Sequence, residues 1–173
     1  MKTLIVLASI ALASPAAFAQ SAAEKAESYY QKGLAAEKVG DPATASAAYN
    51  AALEVYPSHA NARYRAGQVK INAASIKSSA VESKIGSVII PVYRLEDATV
   101  QEAIQALGLA IEKATEGKIS PNFIIEDPKQ KLANTRISMQ LKNIPVKAIL
   151  DYIHSQASTR ARYDEHAVVI MAR

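Results

Sequence analysis

Between Thr135 and Met171 the apolar residues change period twice, and few folds satisfy both changes. Ile137, Met139 and Leu141 alternate with polar residues, the two-residue period of a half-buried strand. Val146, Ile149, Leu150, Ile153 and Ala157 then recur at helical spacing, so a helix with one buried face follows at once. Pro145 stands at the change and suits the first helical position, where its missing N–H would have no partner anyway. After a polar break, Arg160 to Met171 reads as a closing hairpin that turns near Asp164-Glu165.

The same order of elements occurs once before. Residues 88–95 form a strand rich in β-branched side chains. Pro91 within it cannot donate to a ladder, which predicts an edge strand or a bulge. Thr99-Val-Gln-Glu102 is a capping box, and Val100, Ala103, Ile104, Leu107, Ile111 and Ala114 give the following helix one apolar face. Gly117 is its expected C-cap. Phe123 to Ile125 is a short strand stopped by Asp127-Pro128, with a polar loop over 129–134. Leu95 to Leu107 matches Leu141 to Ile153 at a constant offset of 46, so the two halves read as copies of one strand–helix–strand unit. Two such units predict an α+β module, residues 87–173, with two βαβ-like halves and both helices on one face of a shared four- or five-stranded sheet.

Upstream the pattern is helical. Residues 23–56 read as two helices broken at Gly40-Asp41-Pro42, the first carrying Tyr29, Gly33 and Ala36, the second Ala45, Tyr49, Ala52 and Leu53. Small residues at Gly33, Ala45 and Ala52 let the helices approach, and Tyr29 and Tyr49 fill the space between them. A third helix is expected from Ala60 to Ala74, closing a helical module over 20–74. Residues 75–86 are serine-rich and lack a clear period, which predicts a linker ending at Gly86.

The first 19 residues read as an export signal. Lys2 is the positive n-region, Leu4 to Ala13 the apolar region, and Ala17-Phe18-Ala19 a small-x-small cleavage site. The alternative is a retained anchor, because no charge occurs from Thr3 to Ala23. Cleavage predicts a periplasmic or outer-membrane-associated protein with no transmembrane span in the mature chain. The chain has no cysteine, so neither a disulfide framework nor a cysteine metal site is available. The formal charge is +4, but acids and bases are interspersed in both halves. That excludes a basic nucleic-acid-binding domain.

No motif of catalysis is present. His59, His154 and His166 match no metal-ligand spacing. Glu126-Asp127 and Asp164-Glu165 sit at predicted turns, where acids are common. The six glycines form no phosphate loop, and there is no tryptophan for a carbohydrate platform. We therefore expect no catalytic, cofactor-binding or metal-binding residue.

Two resemblances sharpen these expectations. Tyr29, Gly33, Ala45, Tyr49, Ala52 and Pro57 fall at the offsets of a tetratricopeptide repeat over residues 26–59, although Lys32 and Ala36 depart from it. Gly67 follows Gly33 by 34 residues, that family's period. About one and a half repeats are present, fewer than the three that bury a continuous core. By this resemblance Glu27, Tyr30, Leu34 and Glu37 would line a partner-binding helix face. The segment Ile137-x-Met-x-Leu-x-Asn-Ile-Pro-Val-x-x-Ile-Leu-x-Tyr-Ile, with Val88-Ile-Ile-Pro and Ala98-Thr-Val-x-Glu-Ala-Ile before it, resembles the short N-terminal domain of secretins and TonB-dependent receptors. That resemblance implies an extracytoplasmic domain that binds proteins of a transport or signalling machine. The expected function is a non-catalytic envelope adapter, accessory to a secretin-type secretion or pilus system. It would bind through exposed strand edges, the closing hairpin foremost. The alternatives are a self-associating structural protein or a binder of a small envelope ligand such as a peptidoglycan fragment.

Overall fold

The computed structural model describes the backbone from Pro15 to Arg173, except residue 133, and side chains from Ser21 onward. The charged and apolar regions of the expected export signal lie outside the described residues. The order is α1 (Pro15–Lys38), α2 (Pro42–Val55), α3 (Ala60–Ile71), α4 (Ala73–Gly86), β1 (Ile89–Thr99), α5 (Val100–Ala114), β2 (Phe123–Glu126), β3 (Arg136–Pro145), α6 (Val146–Ala157), β4 (Thr159–Tyr163) and β5 (Val168–Ala172). The chain is a mixed α+β protein in two compact units. One holds α1 up to Ala35 together with Ala43–Ile71; the other holds Ala36–Pro42 and Asn72–Arg173.

The turn at Gly40, between α1 and α2, has a φ of 81°, a conformation glycine adopts without strain, and leads on into the helical unit. The core is small and alanine-rich: Ala26, Ala45, Ala52 and Ala62 are fully buried, with Tyr49 as the one large fully buried side chain of α2. Gly33 makes that packing possible. A Cβ built there would lie 2.3 Å from Cε1 of Tyr49, so the ring occupies the space an alanine methyl would need.

The α+β unit has a larger aliphatic core. Val100, Ile104, Leu107 and Ile111 of α5 and Val146, Ile149, Leu150 and Ile153 of α6 meet Ile90, Ile137, Val168 and Ile170 of the strands. The strands form two sheets, not the single sheet expected. β1 pairs with β3 antiparallel, and β2-β5-β4 form a second sheet, parallel at β2–β5 and antiparallel at β5–β4. α5 touches both β1 and β2, and α6 touches both β3 and β4. Each helix therefore packs on both sheets, which replaces the expected arrangement of helices on one face of a shared sheet.

The 46-residue repeat is visible in the ladder. Arg94 pairs with Gln140, its own copy, so a local two-fold relates the halves about that pair. Asp97 and Asn143, also copies, both adopt left-handed backbone, at φ 48° and 49°. Acid and amide side chains tolerate that region better than most residues do. Asp97 marks a register shift between Leu95 and Ala98, and its N–H donates to Ser138 Oγ at 2.9 Å. Replacing Asn143 with valine should therefore lower stability by about 1–2 kcal/mol, while glycine there should be tolerated, as urea melts of the two variants would show.

The helix starts are equivalent, but their chemistry differs. Thr99 and Glu102 form the capping box: Thr99 Oγ1 accepts from Glu102 N–H and Glu102 Oε2 accepts from Thr99 N–H at 2.7 Å. Pro145 is the N-cap of α6, one position before its expected place, and offers no side-chain bond; Val88 O accepts from Val146 N–H instead, at 2.9 Å. At the end of α5, Glu116 takes the left-handed position (φ 53°) with Gly117 next (φ 75°). Gly117 N–H donates to Glu112 O at 2.8 Å, and the C-cap is Thr115, two residues before the C-cap expected at Gly117. Finally, the expected linker 75–86 is helix α4. Val81 and Ile85, one turn apart, pack on the α+β core, and Glu82 accepts from Lys147 Nζ at 2.6 Å. Tertiary burial supports a helix whose sequence has little period of its own.

Candidate functional site

The four candidate residues, Glu27, Tyr30, Leu34 and Glu37, all lie on α1. Glu27 and Tyr30 are drawn together by His59. His59 precedes α3, and its Nδ1 accepts from Ala62 N–H at 3.2 Å, serving as that helix's N-cap. The ring proton is then on Nε2, which donates to Glu27 at 3.1 Å. Gln31 also donates to Glu27, at 2.7 Å. These bonds, Gln31 first, hold the Glu27 carboxyl below its ordinary value. The His59 ring lies 5.2 Å from Tyr30, which in turn lies 5.7 Å from Tyr49. Histidine is not a usual cap, so no sequence signal marked this role. The cluster ties α1 to α3. Leu34 and Glu37 lie further along α1 and are half-buried.

The acidic pairs separate in the same way. Asp127 accepts from Lys131 N–H at 2.9 Å and Leu132 N–H at 2.7 Å, folding the loop after β2. Glu126 is 3.7 Å from Arg162, Asp164 accepts from Arg162 Nε at 3.1 Å, and Glu165 accepts from Lys77 at 2.9 Å. Among the described residues no group of three or more potential ligands could hold a metal ion. No helix among them is long and apolar enough to cross a membrane.

His154 lies against Thr159, with Nδ1 2.8 Å from the hydroxyl of that buried residue. Burial lowers its pKa below the ordinary 6.5, so the folded protein favours the neutral ring. A lowered value means this stability is complete above pH 6.5 and is lost as the pH falls through the folded value. The denaturation midpoint should therefore decline on acidification below about pH 6.5, and His154→Gln should flatten that part of the profile.

A partly apolar surface lies between α5 and β2. An open cleft of about 730 Å³ is walled by Gln101, Gln105, Gly108 and Leu109 of α5 and by Phe123 and Ile125 of β2. Gly108 keeps its floor low: a Cβ there would just reach the Phe123 ring, at 3.7 Å. Leu109 is 62% exposed and Ile124 43%, both large apolar side chains. Glu112 is the one charged residue of the lining, and its carboxylate accepts from Ser120 Oγ. β2 is an edge of its sheet, so one row of its backbone groups pairs with β5 and, among the described residues, the other has no strand beside it. In the closing hairpin only β4 lies at an edge of the sheet. β5 is the central strand, and β4 shows solvent Arg160 and Arg162, charges that discourage strand addition. No family model, curated protein or solved structure matches this chain.

Proposed function

We propose that this chain is a non-catalytic protein-interaction adapter of the bacterial cell envelope, accessory to a secretin-type secretion or pilus system. The observation that carries the reading is the apolar β2 edge beside the α5 cleft. An extended segment of a partner protein adds to β2 through main-chain hydrogen bonds and sets a side chain over Gly108. Edge pairing supplies affinity and the cleft supplies selectivity, which is how strand addition divides the work. The internal repeat and its resemblance to the secretin and TonB-receptor short domain support the partner class. The export signal expected over residues 1–19 supports the compartment.

A photo-crosslinking residue in place of Gln105 tests this in the native cell. The expected result is an adduct with a defined envelope protein, absent when the same probe replaces Gln156 on α6 and lost on adding Ile124→Lys. Self-adducts alone, or the same adducts from both positions, defeat the proposal.

A further inference from the structure

The helical unit contains one motif twice. Tyr30-x-x-Gly33 lies on α1 and Tyr64-x-x-Gly67 on α3, each residue 34 positions from its counterpart. In the first copy the notch over the glycine is filled. Tyr49 of α2 is fully buried, its ring 5.7 Å from Tyr30 and so close to Gly33 that a Cβ would fall at 2.3 Å. In the second copy the notch is open. Among the described residues nothing lies within 4 Å of a Cβ built on Gly67, and Tyr64 and Ile71 beside it are 66% and 78% exposed. No ring among the described residues reaches it: the residue 34 after Tyr49 is Ser83, and no aromatic occurs between Tyr64 and Tyr93. Residues 64, 67 and 71 share one helix face, and the opposite face is the buried one, with Ala62 and Val69.

The charge around the notch is one-sided. α3 carries Arg63, Arg65 and Lys70 and no acid; the exposed Arg63 and Lys70 stand one turn to either side of Gly67, Arg63 also donating through Nη2 to Pro57 O. Two α3 faces of this kind brought together would set like charges against each other, which opposes a second copy as the occupant. We infer that the Tyr64–Gly67–Ile71 face of α3 docks an acidic amphipathic helix of a partner protein, which presents an aromatic ring to Gly67 as α2 presents Tyr49 to Gly33. The partner's carboxylates meet Arg63 and Lys70. This site is separate from the β2 edge and does not depend on it.

The test uses the full chain and a helix-stabilised synthetic peptide with one tyrosine on its apolar face and glutamates beside it. Control peptides carry alanine for the tyrosine or lysines for the glutamates. Saturable binding is expected, weakened by about tenfold or more by the alanine peptide or by Gly67→Leu. The lysine peptide should bind more weakly still at low salt, with the gap narrowing as salt screens the pair. Gly67→Leu should keep the helical circular dichroism of the parent, since no neighbour crowds the position. Ile124→Lys should bind the peptide as the parent does, so failure at the β2 edge is told apart from failure here. The inference is overturned if the glutamate peptide shows no saturable binding, if glutamate and lysine peptides bind alike, or if Gly67→Leu binds unchanged. A dimer seen by sedimentation that Gly67→Leu abolishes would also overturn it, by making the occupant a second copy.

Discussion

Gly33→Ala should be the most damaging single-methyl change in the helical unit. Ordinarily, alanine for glycine inside a helix gains about 1 kcal/mol. At this position the added Cβ would stand 2.3 Å from Cε1 of Tyr49 and 2.7 Å from Cζ, inside the contact distance of any carbon pair. Tyr49 is fully buried and cannot swing aside without opening a cavity. Overpacking of this kind costs about 1–3 kcal/mol and sometimes more, which exceeds the propensity gain. A unit whose buried residues are mostly alanines has little stability in reserve. Thermal melts followed by circular dichroism should therefore show early loss of helix for Gly33→Ala. Gly67→Ala should gain up to about 1 kcal/mol, because nothing lies within 4 Å of its Cβ. Adding Tyr49→Leu to Gly33→Ala should recover part of the loss, a non-additivity expected of residues in contact. If both alanine variants shift stability in the same direction, the close packing of Gly33 on Tyr49 is wrong.

The second large effect separates two leucines of one helix. Leu107 is fully buried between the strands and α6, and Leu109 is 62% exposed in the cleft wall. Leu107→Ala removes buried methyl groups from an interior that only partly collapses, a loss of about 2–5 kcal/mol. Leu109→Ala should change stability by less than about 0.5 kcal/mol, as surface substitutions do. Partner capture should respond in the opposite order. Leu109→Ala should reduce crosslinking from position 105 at full folding, whereas Leu107→Ala should reduce it only in proportion to unfolding. Equal urea midpoints for the two variants would contradict the burial of α5. Unchanged capture with Leu109→Ala would remove the cleft from the binding surface.

The residues that made the α+β unit legible were those whose local chemistry is sufficient by itself. The Thr99–Glu102 box needs only four residues in sequence, and it forms as read. The offset of 46 emerges as a two-fold about Arg94 and Gln140, with Asp97 and Asn143 in matching left-handed backbone. The Pro145 and Gly117 caps differ from the expected positions by one and two residues, because helix ends are settled by which backbone donor finds a partner. Val88 O, distant in sequence, decides the start of α6.

The candidate site was less legible. Glu27 and Tyr30 were singled out for binding by resemblance, yet His59, 32 residues from Glu27, draws them into a cluster that ties α1 to α3. The cleft between α5 and β2 left no motif at all. Its walls are ordinary glutamines, a leucine and a phenylalanine, and only folding sets them opposite one another.

The sequence alone determined where helices and strands alternate in residues 87–173, which faces are apolar and that the halves repeat, because period and capping act over one or two turns. Tertiary structure decided which strands pair. A strand's hydrogen-bonding groups are the same whatever its neighbour, so the apolar pattern could not distinguish one sheet from two; contact of α5 and α6 with both sheets did. Tertiary structure also decided that 73–86 is a helix, through Val81 and Ile85 on the core, and that the glycines 34 residues apart are unlike. Gly33 has a ring against it and Gly67 has open space, a difference set by what packs there and not by the residue itself.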